Sequence, residues 1–145
     1  DWQMFIASQG NLPEGYLLAC RQRNTDDLIW GCSNGTSQNI TASDYFVAPY
    51  DDVWLNVLIA CDYTGKKTYF YRNGIPFGSP VAIPGTPIFP TKDEVKYVGT
   101  YTSILSPLVD GYMANVQLWT LATMPPLAVM NASVARMAAG LMPCW

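Results

Sequence analysis

The stretch Asp110-Gly-Tyr-Met-Ala-Asn-Val-Gln-Leu-Trp-Thr-Leu-Ala122 constrains the fold more than any other part of the chain. It opens on the turn pair Asp110-Gly111 and then alternates. Val116 and Leu118 fall on one face, Asn115 and Gln117 on the other, the period of a strand with one buried side. Thr123-Met-Pro-Pro126 follows, and then Leu127, Met130, Val134, Met137 and Leu141 recur at three- and four-residue spacing. Pro125 and Pro126 sit where a first helical turn tolerates proline, and Gly140 is a natural C-cap. Residues 125–140 are therefore expected to form one amphipathic closing helix, its Met130, Met137 and Met142 turned into the core.

Upstream, turn signals separate short apolar runs. Strands are expected at residues 2–8, 16–22 and 28–33, the last two joined through Arg23-Asn-Thr-Asp-Asp27. Residues 34–43 are polar and read as an exposed loop, and residues 45–48 as a short strand ended by Pro49. Residues 53–63 form a long strand with Val57, Ile59 and Cys61 on one face. Residues 68–74 end in Asn73-Gly74, the strongest short hairpin signal, and residues 75–83 return. Pro84, Pro87 and Pro90 punctuate a loop before a further strand at residues 95–101. Eight to ten strands with one terminal helix predict an all-β fold, a two-sheet antiparallel jelly-roll sandwich spanning residues 1–145 as a single domain.

Composition narrows the function. Only 13% of the 145 residues are charged and the net charge is −3, so the surface is built largely from neutral groups. Eight scattered Lys and Arg make no basic patch, which argues against nucleic acid. The absence of histidine removes the commonest general base and the commonest metal ligand. No apolar run is long enough to span a membrane. The chain begins at Asp1 without a signal-peptide pattern, as a mature or excised piece would.

The four cysteines, Cys20, Cys32, Cys61 and Cys144, contain no C-x-x-C pair, so a disulfide reading is favoured over a zinc site. Together with the sequons at Asn34, Asn39 and Asn131 they point to an oxidising, secreted or cell-surface setting. Of the three connectivities, a hairpin centred on Thr25 and Asp26 sets Cys20 nearly opposite Cys32, which leaves Cys61 for Cys144.

With these residues laid out, the chain resembles the laminin-G-like branch of the concanavalin A-like lectin/glucanase superfamily. Trp54, Val57, Ile59 and Asp62-Tyr63 resemble the family's W-x-x-V-x-I-x-Y-D strand. Tyr69-Phe-Tyr-Arg-Asn-Gly74 resembles its L-Y-V-N-G, and Tyr97-Val-Gly-Thr100 its Y-V-G strand. Asp110-Gly-Tyr-Met-Ala-Asn-Val-Gln-Leu-Trp119 resembles D-G-x-I-D-E-V-R-I-W, which precedes the closing helix. Arg72 departs from the usual apolar residue before Asn-Gly. The family pattern also carries one or two strands ahead of residues 2–8; either these are absent, which would leave an open edge that a neighbouring chain could complete, or they belong to a part of the protein outside this sequence.

The resemblance implies three chemistries. Glucanase activity needs two carboxylates facing one cleft, and Glu14 and Glu94 are the only glutamates, far apart and in turn-like settings, so an enzyme is not expected. Calcium, the one candidate cofactor, could be held by Asp26, Asp27, Asp44, Asp51, Asp52, Asp62 or Asp110, although turn-capping accounts for most such aspartates. Sugar stacking could use Trp30, Tyr45, Tyr50, Tyr101 or Trp145, whereas Trp54 and Trp119 match core positions; the same aromatics would equally serve a protein interface. The expectation is a secreted, non-catalytic adhesion or structural module that contacts other protein chains or itself, with a carbohydrate-binding lectin as the alternative.

Overall fold

The computed structural model describes residues 2–8, 18–22, 24–47, 53–88, 96–98, 113–117 and 121–143. These form strands β1 (Trp2–Ser8), β2 (Leu18–Gln22), β3 (Asp27–Ser33), β4 (Ser37–Ala42), β5 (Val57–Asp62), β6 (Lys67–Arg72), β7 (Ile75–Pro76), β8 (Val81–Ala82) and β9 (Lys96–Val98), and helix α1 (Leu127–Ala138). One antiparallel sheet runs β4-β3-β2-β1-β9; in the other, β6 pairs with β5 on one side and with β7 and β8 on the other. The fold is thus mostly β, in two antiparallel sheets with a C-terminal helix.

Parity along the strands decides what faces what. In β3, Leu28, Trp30 and Cys32 point the same way, paired across to Ala42, Ile40 and Gln38 of β4. In β5 and β6, Ile59 lies opposite Phe70 and Cys61 opposite Thr68. Leu28, Trp30, Cys32, Ile40, Ala42, Phe70 and Ile83 join in one buried cluster, with Ile59 and Cys61 packed against it, so these faces of the two sheets meet. The opposite face of β5–β6 carries Leu58, Ala60, Tyr69 and Tyr71, and onto it packs α1 through Met130, Val134 and Met137. Burying each large aliphatic side chain of this kind is worth about 1.5–3 kcal/mol.

The β6–β7 hairpin turns on Asn73 (φ 52°) and Gly74 (φ 81°), the two positive dihedrals that a two-residue type I′ loop requires. A Cβ at Gly74 would come within 2.8 Å of Ala138 Cβ, so glycine serves both the turn and the seat of the helix. Helix α1 ends at Ala138 with Ala139 as its C-cap, and Gly140, expected as the cap, is the positive-φ residue that follows it (φ 75°). The Gly140 N–H donates to the Met137 carbonyl at 3.0 Å and the Leu141 N–H to the Arg136 carbonyl at 2.8 Å, a Schellman closure.

Several expectations change. Residues 113–117 of the alternating 110–122 stretch are not a strand: Asn115 takes φ 53° and Val116 is exposed. The polar segment after Asn34 is not a loop but contains β4, whose Ile40 and Ala42 supply an inward apolar face on an edge strand. Residues 45–47 are not a strand; Tyr45 and Phe46 sit in a turn and plug the core. Strand β1 is not an open edge, because it lies between β2 and β9. Trp54, expected in the core, is 71% exposed, and Met142 is exposed as well. Pro126 is the N-cap residue rather than part of the first turn. Asp51, Asp52, Asp110, Tyr50, Tyr101, Trp119, Cys144 and Trp145 lie outside the described residues.

Candidate functional site

The expected Cys20–Cys32 pair is overturned by register. The β2–β3 turn sets Gln22 opposite Asp27, which brings Cys20 opposite Ile29. Cys20 therefore shares the face of Ile29, while Cys32, an odd number of residues further along β3, projects from the other face. The described cysteines Cys20, Cys32 and Cys61 are all unbonded thiols. Cys20 is fully buried, and burial pushes its thiol up to about 12.

Cys32 and Cys61 instead face each other's sheet across the inner core. Burial pushes Cys32 up to about 11, and the neighbouring Cys61 adds to the shift. Burial also raises the Cys61 thiol, against donors that favour its thiolate: Thr68 Oγ1 at 3.9 Å, then the Trp30 indole N–H and the Tyr63 hydroxyl. Tyr63 is itself held protonated, first by burial and then by the two cysteines.

A second cluster closes one end of the space between the sheets. Tyr45, fully buried, donates its hydroxyl to the Tyr71 carbonyl and accepts at its own carbonyl from Arg72 Nη1 at 2.7 Å. Its ring packs on Phe46 and Phe77, each at 4.8 Å between centroids. The Arg72 guanidinium lies 4.6 Å from the Phe77 ring centre and 5.7 Å from that of Tyr45, a cation held over two aromatic faces. Arg21 takes the matching place over Phe46 at 5.1 Å and pairs with Asp26. Beside Arg72, a shallow depression of about 190 Å³ is lined by Asn73, Ile75, Pro76 and Phe77.

Around this end the surface turns apolar. Val57, Arg72 and Ile75 form one row across β5, β6 and β7, with Ile75 68% and Val57 37% exposed. Val53 and Trp54 stand exposed just before β5. Their segment is tied to the hairpin, since the Asn56 N–H donates to Asn73 Oδ1 at 3.0 Å and the Asn73 N–H to the Asn56 carbonyl at 2.9 Å.

The sequence-selected residues scatter. Trp30 and Tyr45, offered as ligand aromatics, are core residues without an exposed ring face. Of the candidate calcium carboxylates, Asp26, Asp27, Asp44 and Asp62 lie in or beside turns. Asp26 pairs with Arg21, Asp27 accepts from Thr25 Oγ1 at 2.7 Å and from the Asp44 N–H at 3.0 Å, and Asp62 accepts from the Gly65 N–H at 2.8 Å. Asp44 itself sits in that turn with φ 56°. Among the described residues no group of three or more His, Cys, Asp or Glu could hold a metal ion.

Of the sequons, Asn34 has its side chain engaged. Its Oδ1 accepts from the Thr36 N–H, Thr36 Oγ1 and Gln38 Nε2, and its Nδ2 donates to the Pro84 carbonyl at 3.0 Å. Asn131 accepts from the Tyr71 hydroxyl at 2.9 Å, whereas Asn39 is exposed on β4. Sequence reasoning noticed Arg72 only as a departure from a pattern. It missed that Cys32 and Cys61 share the inner core, which strand parity could have suggested.

Among the described residues, no helix is long and apolar enough to cross a membrane. Comparison with models of known protein families, with curated proteins and with solved structures finds no match.

Proposed function

We propose that the chain is a secreted or cell-surface, non-catalytic β-sandwich module of laminin-G-like, jelly-roll type that acts by protein–protein contact, with copies of itself in the first instance. The observation that carries this reading is the bared apolar group Val53, Trp54, Val57 and Ile75 around the β5–β7 end, in a chain of which only 13% of residues are charged. Large exposed aromatic and aliphatic side chains bound to a braced hairpin are the composition of an interface centre. The order of elements, the Asn73-Gly74 hairpin and the closing helix support the laminin-G-like reading. The exposed Trp54 departs from it. A non-catalytic role is supported by the lack of histidine and by the turn-bracing use of Asp26, Asp27 and Asp62.

Size-exclusion chromatography with light scattering, at several salt concentrations, tests the proposal. Association is expected to persist or strengthen as salt rises, because an apolar contact is not screened. Trp54→Ser combined with Ile75→Ser is expected to return a folded monomer. A wild-type monomer under all conditions overturns the reading.

One observation favours a lectin as the second reading. Trp54 presents its indole two residues from Asn56, which is bonded to Asn73 at the depression beside Arg72, an arrangement suited to stacking on a sugar ring. A glycan array with and without calcium decides it, and binding lost in Trp54→Ser is the expected positive result.

A further inference from the structure

We propose that Cys32 and Cys61 are the disulfide partners of this fold, forming a bond across the core that joins the two sheets. Cys32 projects from the inner face of β3 and Cys61 from the inner face of β5, and both belong to the same buried assembly. Cys20 is excluded by its place on the other face of its sheet.

Stacked sheets ordinarily lie ~10 Å apart, farther than a disulfide reaches, so the strands must converge where such a bond forms. Beside Cys32, the segment that follows β8 of the second sheet reaches the end of β3. The Ile88 N–H donates to the carbonyl of the adjacent Ser33 at 2.7 Å, a β-bridge between the end of β3 and the segment that follows β8. Asn34 Nδ2 reaches the Pro84 carbonyl at the same point. On the other sheet, Cys61 lies in one row with Thr68 and Val81, the strand position that leads into that segment. The segment that leaves the row of Cys61 at Val81 is thus bonded to the end of β3.

Either thiol can react first. When Cys61 leads, its thiolate attacks one sulfur of a small disulfide of the glutathione type, forming a mixed disulfide and expelling one thiolate. The Cys32 thiolate then attacks the Cys61 sulfur and expels the second. The two protons released by the cysteines go to the two expelled thiolates, and the small disulfide is reduced as the pair is oxidised. Both thiols are held protonated in the closed core, so the reaction belongs to the folding chain, before the sheets shut. The bond does not depend on the proposed association through Trp54.

The test is to fold the full chain from the reduced, denatured state in a glutathione redox buffer. Accessible thiols are alkylated, the protein is digested without reductant, and linked peptides are sequenced by mass spectrometry. A single linkage of Cys32 to Cys61 is expected, with Cys20 alkylated only after denaturation. Linkage through Cys20, linkage of Cys61 to Cys144, or four unlinked thiols overturns the proposal. A Cys20→Ala variant is expected to keep the faster non-reducing gel migration of the oxidised chain, and Cys32→Ser to lose it. The reverse pattern is equally fatal to the proposal.

Discussion

On its inner side β6 turns Thr68 and Phe70 toward the five-stranded sheet; on its outer side it turns Tyr69 and Tyr71 toward α1. The two cores that share this strand are built differently. The inner one is closed by residues from both sheets and by the Tyr45 plug, whose hydroxyl and carbonyl are both bonded to the β6 segment Tyr71–Arg72. The outer one depends on a single 12-residue helix with no side-chain N-cap bond and no acidic residue in its first turn. A helix of that length is marginal by itself, so Met130 and Val134 hold it by packing rather than by propensity. The difference teaches that the inner core carries the fold and the outer core decorates it.

The sharpest way to break that comparison is to hollow each core in turn. Trp30→Ala in the inner core is expected to cost about 3–5 kcal/mol, and Val134→Ala in the outer core about 2 kcal/mol. Denaturant unfolding followed in parallel by far-ultraviolet circular dichroism at 222 nm and by tryptophan fluorescence separates the cases. In the Val134 variant the helical signal should be lost ahead of the fluorescence change; in the Trp30 variant the two should fall together. Coincident transitions in the Val134 variant would merge the two cores into one.

A smaller effect is expected where the helix meets the hairpin. Gly74→Ala forces a Cβ onto φ 81° and to 2.8 Å from Ala138 Cβ, for a loss of about 1–3 kcal/mol. Gly78→Ala is the control. It has φ 67° with nothing within 4 Å of the added atom, so it carries backbone strain alone, about 1 kcal/mol. Adding Ala138→Gly to Gly74→Ala should recover the part of the loss due to contact. If the two glycine variants cost the same, the helix does not press on the turn.

The elements legible in the sequence were those with local causes. Asn73-Gly74 specified its turn because both dihedrals are positive, and Gly140 ended the helix through bonds made within a single turn. What failed depended on distant partners. The alternation of residues 113–117 is real in the sequence, yet Val116 finds no sheet to enter and stays exposed. Strand β4 was hidden by its polar edge residues, with only Ile40 and Ala42 to betray an inner face. The cysteine assignment failed by register. A turn centre displaced by one residue moves the opposed pair by two, and "nearly opposite" on a strand means the other face. The exposed Trp54 was read as core because a motif match says which residue stands at a position and nothing about what covers it.

The smallest expected effect compares the two faces of the five-stranded sheet through their thiols. Cys20 on one face has its pKa raised from 9.0 to about 12, and Cys32 on the other from 9.0 to about 11. A thiol whose folded pKa is raised gives stability that is complete below its unfolded value and is lost as pH rises toward the folded one. The window therefore opens near pH 9. Each buried thiol should remove about 1 kcal/mol between pH 9 and 10, because the unfolded chain ionises there while the folded core does not. Tyr71, raised from 10.0 to about 12 by burial and then by Tyr69, and Tyr63, raised from 10.0 first by burial, add losses that set in as pH approaches 10, so the difference between the redox states rather than the absolute slope reports the thiols. In reduced protein Cys20, Cys32 and Cys61 all contribute to the fall. In protein oxidised at Cys32 and Cys61 only Cys20 of these three thiols remains to titrate, so the slope should be shallower, and Cys20→Ala should lower it further. Thermal or urea unfolding at pH 8, 9 and 10, with and without reductant, measures both slopes. Equal slopes in the two redox states would mean that the inner pair never closes, and a flat reduced profile would mean that the thiols of neither face are buried from water.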